Sequence, residues 1–547
     1  MEFDCDWLII GSGFGGSVSA LRLTEKGYRV VMLEKGRRLR AKDFPKTNWN
    51  LKKWLWMPRL GWRGLFKMTF FRHITVLSGV GVGGGSLVYA NTLPIPKDDF
   101  FQARSWGHLS DWKTELAPHY ATARRMLGAT VNPQRTLPDE IIQQVGKEMG
   151  REDFQPTTVA VYFGQPGVTV PDPYFGGQGP ERTGCTSCGA CMTGCRFNSK
   201  NTLDKNYLYL AEQRGLTLHA DTEATHVRPL PGGGYEVEAL EGASSFGRQK
   251  RRFTARQVIF SGGVLGTVDL LLKLKADPDG LPQLSDRLGD GVRTNSEALI
   301  GIVAGKRMHD KDLSRGIAIG SILHTDEHSH LEPVRYGAGS DFFRTLMAPY
   351  VSGTSFFSRL ANLVGLVLRH PLKMLRASTT GDFARRTMIL LYMRTLDGHL
   401  RMRRGRGLLT AGSKGLITGL QEGPAPTAHI PEAAELAHRV AEKLDGVPMS
   451  MSTETLLGIP TTAHILGGCC MGDSPQTGVI DSQHRLFGYE GLYVVDGSAI
   501  SANPGVNPSL TITALAERAM SFIPQRQQVP SGAEVTQAVA RPMAVSG

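Results

Sequence analysis

The first forty residues alternate apolar runs with small, glycine-rich steps. Asp6-Trp-Leu-Ile-Ile10 is a continuous apolar run of the length of a buried strand. Val18, Leu21 and Leu23 then recur at helical spacing, Gly27 ends that helix, and Arg29–Leu33 forms a second apolar strand closed by Glu34. The pattern predicts a βαβ unit. Two later stretches interleave apolar and basic positions. Residues 51–72 hold three Trp, three Phe and six Lys or Arg, and 342–376 includes a segment, 359–376, with apolar residues at roughly helical spacing. Each fits a helix lying in a membrane interface or a core helix with snorkelling cations, and together they suggest a lid over a lipophilic tunnel. The cluster Arg401–Arg406 reads as the solvated face of a hairpin. Beyond Gln525 the periodicity ends, and 526–547 is expected to be a loosely ordered tail. No run of eighteen apolar residues occurs, so no transmembrane helix is predicted.

Composition sharpens this picture at three points. At 547 residues the chain is long enough for a large core and several domain-sized units. Its 65 glycines are about 12% of the chain against roughly 7% in average usage, which points to backbone that approaches a ligand closely. The formal net charge of +12 comes without zinc-finger spacing, RNP-like motif or basic arm. Nucleic acid is therefore not expected, and anionic lipid is an equally good partner for the charge. The N-terminus lacks a basic n-region and a cleavage site, so a cytoplasmic protein, with peripheral membrane contact as the alternative, is expected.

The turn between the first strand and helix reads Gly11-Ser-Gly13-Phe-Gly-Gly16, with Glu34 lying 23 residues after Gly11. In such a unit Gly11 makes the tight turn, Gly13 admits a pyrophosphate to the backbone, and Gly16 lets helix and strand pack. The helix N-terminus faces the phosphates and Glu34 accepts from a ribose hydroxyl. The motif serves FAD or NAD; its position at residue 11 favours FAD. A second loop, Gly79-Val-Gly81-Val-Gly83-Gly84-Gly85-Ser86, suits backbone pressed against a planar or phosphate ligand.

With these motifs the chain resembles the glucose–methanol–choline flavin oxidoreductases, in their cholesterol-oxidase-like branch. The resemblance rests on GSGFGG with Glu34, on GVGVGGGSLVYAN at 79–91, and on VIFSGGVLGTVDLLL at 258–272, where Val268 stands in place of the family's proline. It rests also on AHILGGC at 463–469, LYVVDGSAI at 492–500 and GVNPSLTITALAERA at 505–519. It implies FAD, expected to be non-covalent, and a site in which His464 and Asn507 meet the substrate hydroxyl. It implies that Asp496 and Gly497 meet the flavin's ribityl or phosphate, and that the helix opened near Pro508 turns its N-terminus to the flavin pyrimidine. A His near its ordinary pKa can take the hydroxyl proton while an amide orients the oxygen. The resemblance also offers Glu332, in His330-Leu-Glu-Pro-Val-Arg335, as a buried base for a later isomerisation.

Four of the seven cysteines form a run, Cys185, Cys188, Cys191 and Cys195, with the C-x2-C-x2-C-x3-C spacing of bacterial ferredoxins and Arg196 where proline is usual. The spacing allows a [4Fe–4S] or [3Fe–4S] cluster, zinc, or no metal.

The expected fold class is α/β, a Rossmann-like FAD-binding domain (1–40, 75–92, 205–300, 478–525) interleaved with an α+β substrate domain (41–74, 93–204, 301–477) whose mixed sheet roofs the flavin. The expected function is FAD-dependent oxidation of a hydrophobic, sterol-like alcohol to a ketone or aldehyde. The alternatives are an FAD/Fe–S dehydrogenase passing electrons to an external acceptor, and an inactive lipid-binding flavoprotein, against which an intact His464/Asn507 pair argues.

Overall fold

The computed structural model of the chain describes residues 2–243, 247–308, 310–396, 398–421 and 424–527. The tail expected from 526 onward lies almost wholly outside the described residues. Two seven-stranded sheets organise the described chain.

The first sheet is built around the N-terminal unit. Cys5–Ile10 is buried at every position, pairs in parallel with Val30–Leu33 on one side, and pairs with the C-terminal half of Gln249–Phe260 on the other. Thr217–His219 extends one edge, and Leu492–Val494 pairs in parallel with Val258–Phe260. A strand buried on both faces needs no polar alternation, which is why Trp-Leu-Ile-Ile is uninterrupted. The other half of Gln249–Phe260 continues into an antiparallel meander with Tyr235–Glu241 and Thr222–Pro229. The helix Phe14–Glu25 follows the first strand and packs beside Ser509–Ser521, where Arg22 grips the buried Glu517 at 2.7 Å.

The second sheet is antiparallel throughout: Met347–Pro349, Val447–Met451, Ala298–Val303, Thr387–Arg394, Ser329–Val334, Ser321–His324 and Phe154–Pro156. Ala298–Val303 runs through the expected domain boundary at 300 and belongs wholly to this sheet. The helices Leu137–Glu148 and Pro431–Lys443 cover one face, packing Ile141, Ile142, Leu436 and Val440 on Ile300, Ile302 and Leu331. Residues alternate between faces along a strand, so Leu299, Val334, Ile389 and Leu391 turn the other way and face a large cavity.

The two greasy, basic stretches part company. Residues 51–72 do not form an interfacial helix. They make one helical turn, Leu51–Trp54, and then short strands, with Trp54, Leu55, Leu65 and Phe66 in a buried cluster. Pro58 and two glycines stop the helix; a Cβ on Gly64 would lie 2.2 Å from the Trp54 carbonyl carbon. The second stretch does form helices, Phe356–Arg369 and Pro371–Thr379. Arg401–Arg406 lies largely on the hairpin strand Leu400–Gly405, with Arg401 on Asp290 and Arg404 on Asp269. No helix among the described residues is long and apolar enough to cross a membrane.

Candidate active site

A cavity of about 730 Å³ lies between the two sheets, within the range of small-molecule and cofactor sites. Its floor is made by loops of the first sheet, with Gly11, Gly13, Glu34, Asp496 and Gly497, and by the glycine loop after the strand Thr75–Gly79, with Gly84 and Gly85. Its roof is the second sheet with Phe343, Met347 and Met451, and His464, Asn507 and Pro508 complete the wall.

The floor is shaped by what it excludes. Gly11 has φ +106°, open to glycine. A Cβ on Gly16 would stand 2.1 Å from the Gly11 carbonyl oxygen, and one on Gly84 would stand 2.7 Å from the Gly13 Cα, so the two glycine loops press on each other. The helix Phe14–Glu25 starts at Gly13 with no side-chain cap, which leaves its first N–H groups for a ligand. Ser509–Ser521 likewise starts without a side-chain cap beside the cavity residue Pro508. Open N–H groups and a glycine cradle suit a dinucleotide with a pyrophosphate, and FAD fits these residues.

The two floor carboxylates also tie the surrounding loops together. Glu34 is buried, and burial holds its pKa above the ordinary carboxylate range although it accepts from Ser12 N, Ser12 Oγ and Gly36 N at 3.1, 2.7 and 2.8 Å. Asp496 ties loops together, accepting from Ser498 N, Gly263 N and Thr267 Oγ1 at 2.8, 2.9 and 2.5 Å. Gly16, Gly81, Gly83 and Ser86 lie behind the cavity wall, and Ser86 Oγ donates to the Gly83 carbonyl at 2.7 Å. Lys67, which the sequence patterns did not single out, lines the floor, and burial pushes its pKa down to about 8.

His464 and Asn507, 43 positions apart in sequence, line the same cavity. His464 Nδ1 lies 2.8 Å from Glu297 Oε2. Glu297 is itself buried and also accepts from Ala463 N at 3.1 Å and from Thr462 Oγ1. With Nδ1–H donated to a carboxylate, Nε2 is left as the acceptor. Burial alone would depress the imidazole's pKa, but the charge and hydrogen bond of Glu297, with Glu332 adding to them, hold it above the ordinary value. Sequence reasoning missed Glu297, since a lone Glu in Thr-Asn-Ser-Glu-Ala carries no motif. Asn507 Oδ1 is buried without a partner, as a group aimed at a ligand would be. Asn295 Nδ2 holds that turn by donating to the Val506 carbonyl at 2.8 Å. Glu332 sits on an interior strand rather than an edge, fully buried, with neither carboxylate oxygen hydrogen-bonded.

Nothing in the structure supports an iron–sulfur or zinc centre at the cysteine run. Among the described residues, no group of three or more His, Cys, Asp or Glu side chains is placed to hold a metal ion. The four cysteines line one void of about 20 Å³, room for about one water rather than a metal–sulfide cube. Burial pushes the Cys185 thiol up to about 12, while, against burial, the Lys205 charge and backbone N–H groups hold the Cys195 thiol below its ordinary value. Lys200 Nζ anchors the loop on the carbonyls of Leu87, Tyr89 and Cys191 at 3.1, 2.8 and 2.9 Å.

The chain is similar to known proteins along most of its length. Residues 180–276 and 420–516 match the two GMC oxidoreductase domain families, and 9–54 match an NAD(P)-binding Rossmann-like domain. The chain is 46% identical over 536 residues to a cholesterol oxidase of Acinetobacter baumannii, covering 96% of this chain and 95% of that one. It is 47% identical to a cholesterol oxidase of Mycobacterium tuberculosis, covering 96% and 92%. The crystal structure of pyridoxine 4-oxidase from Mesorbium loti shares the fold with a TM-score of 0.60 at 15% identity, covering 95% of this chain and 99% of that one. From its glycine loops to its paired histidine and asparagine, the chain belongs to the GMC oxidoreductase family.

Proposed function

We propose that the protein oxidises a sterol-like secondary alcohol to the ketone with FAD. The observation that carries this reading is one cavity in which a dinucleotide cradle, the His464–Glu297 pair and Asn507 open under an apolar roof of Phe343, Met347, Ile389, Leu391 and Met451. FAD, when bound, supplies the acceptor for the carbinol hydride. His464 Nε2 takes the hydroxyl proton, Glu297 fixes its tautomer, and Asn507 orients the oxygen. The roof matches a rigid hydrocarbon skeleton and excludes water. Glu332 on the roof strand is the group for a subsequent isomerisation. The similarity to cholesterol oxidases supports the substrate class. Anaerobic mixing with a 3β-hydroxysteroid is expected to bleach the flavin bands and yield one ketone per FAD. Bleaching by small polar alcohols but by no sterol would overturn the substrate class.

The same reading includes peripheral contact with anionic lipid. Helices Phe356–Arg369 and Pro371–Thr379 expose Phe357 (79%), Leu368 (75%), Leu372 (65%) and Leu375 (60%). Arg369, Lys373 and Arg376 are exposed among them, and no acidic residue occurs from 342 to 381. Arg359 Nε binds the pair to the Leu456 carbonyl at 3.1 Å, one short helix beyond the cavity residue Met451. Apolar area with basic flanks fits an anionic bilayer surface. The holoenzyme is expected to sediment with phosphatidylglycerol vesicles and less so as salt rises. Equal partitioning into neutral vesicles, or none into either, would remove the lipid contact.

A further inference from the structure

We propose that Glu332, His330 and His324 form a relay that carries the alcohol's proton from the active cavity to solvent. The inference rests on the alcohol-oxidation reading.

The line is set by strand geometry. On Ser329–Val334, Leu331 faces the covering helices, so His330, Glu332 and Val334 share the opposite face, and Val334 lines the cavity. Leu391, directly across from Glu332, lines it too. At the outer end His324 pairs in register with His330, their ring centroids 5.8 Å apart. Three titratable side chains thus run in sequence from beside the cavity-lining Val334 and Leu391 toward the sheet's far edge, where His324 N donates to the Asp153 carbonyl at 2.9 Å.

What marks the line as functional is its unmet hydrogen bonding. Both Glu332 carboxylate oxygens, His330 Nε2 and His324 Nδ1 are buried atoms without a partner. Buried polar groups are ordinarily satisfied, and orphaned ones cost stability, so four in a row have no structural advantage. They do not serve a metal, since no such ligand set exists among the described residues. His330 Nε2 stands 3.7 Å from Glu332 Oε1, and a small side-chain shift closes this to a hydrogen bond of about 2.8 Å. Ordered water can bridge the remaining gap between the imidazoles. The inner end is electrically joined to the chemistry, since Glu332 helps to raise the pKa of His464. The outer end meets charge at Asp153 and Lys97, and burial beside His330 keeps His324 below its ordinary pKa, hence neutral and able both to accept and to donate.

The balance is simple. The carbinol C–H leaves with two electrons as hydride to bound FAD, and the O–H proton goes to His464. That proton then passes to Glu332, on to His330 and His324, and out, which resets His464 as a base.

The test is anaerobic single turnover of the FAD holoenzyme with a 3β-hydroxysteroid in dilute buffer with a pH-indicator dye. Bleaching and proton release are followed together. In the wild type, release keeps pace with bleaching. In His330→Asn the flavin still bleaches, but the proton reaches solvent about tenfold more slowly or worse. His324→Asn gives the same lag, and added imidazole removes it, because this last station is only half-buried. His324→Asn also keeps the test decisive if the buried variant fails to hold FAD. Release in step with bleaching in the variants, or no release in the wild type, would overturn the relay. A wild type that no alcohol bleaches would overturn the functional reading instead.

Discussion

His464→Ala is expected to lower kcat on a sterol-like alcohol by about 10² or more, about 2.7 kcal/mol of transition-state stabilisation, with FAD still bound. The cofactor's cradle is made elsewhere, by Gly11, Gly13 and Gly84, so losing the imidazole does not empty it. A companion variant, Glu297→Gln, separates presence from positioning. His464 must be neutral to accept a proton, and its pKa is raised in the protein, so activity rises with pH through a value above the ordinary 6.5. Removing the Glu297 charge lowers that pKa and moves the rise to lower pH. It also loosens the tautomer, so kcat falls while KM changes little. A kcat–pH profile of wild type, Glu297→Gln and His464→Ala checks all of this. Wild-type kcat in His464→Ala, or an unmoved profile in Glu297→Gln, would remove the pair from the mechanism.

Gly16→Ala is expected to cost the protein its cofactor. The new methyl would stand 2.1 Å from the Gly11 carbonyl oxygen, and 3.2 Å from the Ser261 Cβ. A backbone oxygen at the head of the loop cannot swing aside as a side-chain tip does. Helix and strand must separate, at about 3 kcal/mol of overpacking. The displacement falls on the loop whose N–H groups face the pyrophosphate, so FAD occupancy drops at least tenfold and the purified protein is nearly colourless. Flavin absorbance per chain and thermal unfolding measure the two effects. Full FAD occupancy at wild-type stability would refute the packing argument.

The features legible in the sequence are those whose chemistry is local. Gly11, Gly13, Gly16 and Glu34 announce a dinucleotide loop because strand, turn, helix and second strand lie within thirty residues, and the first sheet forms as that pattern dictates. His464 and Asn507 were reached only through resemblance, since nothing in either local pattern says they share a cavity. Glu297 was invisible because its role is created by distance in the chain: its strand brings it against residues 462–464 only after the second sheet has formed. The misreading of residues 51–72 has the same root. Residues 51–72 have a helix-compatible composition, but Gly64 is reserved for the approach to Trp54, a contact no periodicity displays. The cysteine spacing matches a ferredoxin loop, and spacing alone does not choose between a cluster, zinc and no metal.

The first sheet has one further consequence, for the order of events during synthesis. Its strand Gln249–Phe260 is flanked on one side by Cys5–Ile10 and on the other by Leu492–Val494. The cavity-lining Asp496 and Asn507 follow only after that last strand. Nearly five hundred residues thus separate partners in one layer. On the ribosome the N-terminal βαβ unit emerges early and gains Gln249–Phe260 at mid-chain, but the C-terminal end of that strand stays unpaired on its outer side until Leu492–Val494 emerges. The nascent chain therefore spends most of its elongation with an apolar sheet edge open, a state that invites chaperone engagement, and non-local closure of this kind is slow. A chain ending before residue 492 lacks the strand that completes the first sheet, and with it Asp496 and Asn507 of the cavity wall.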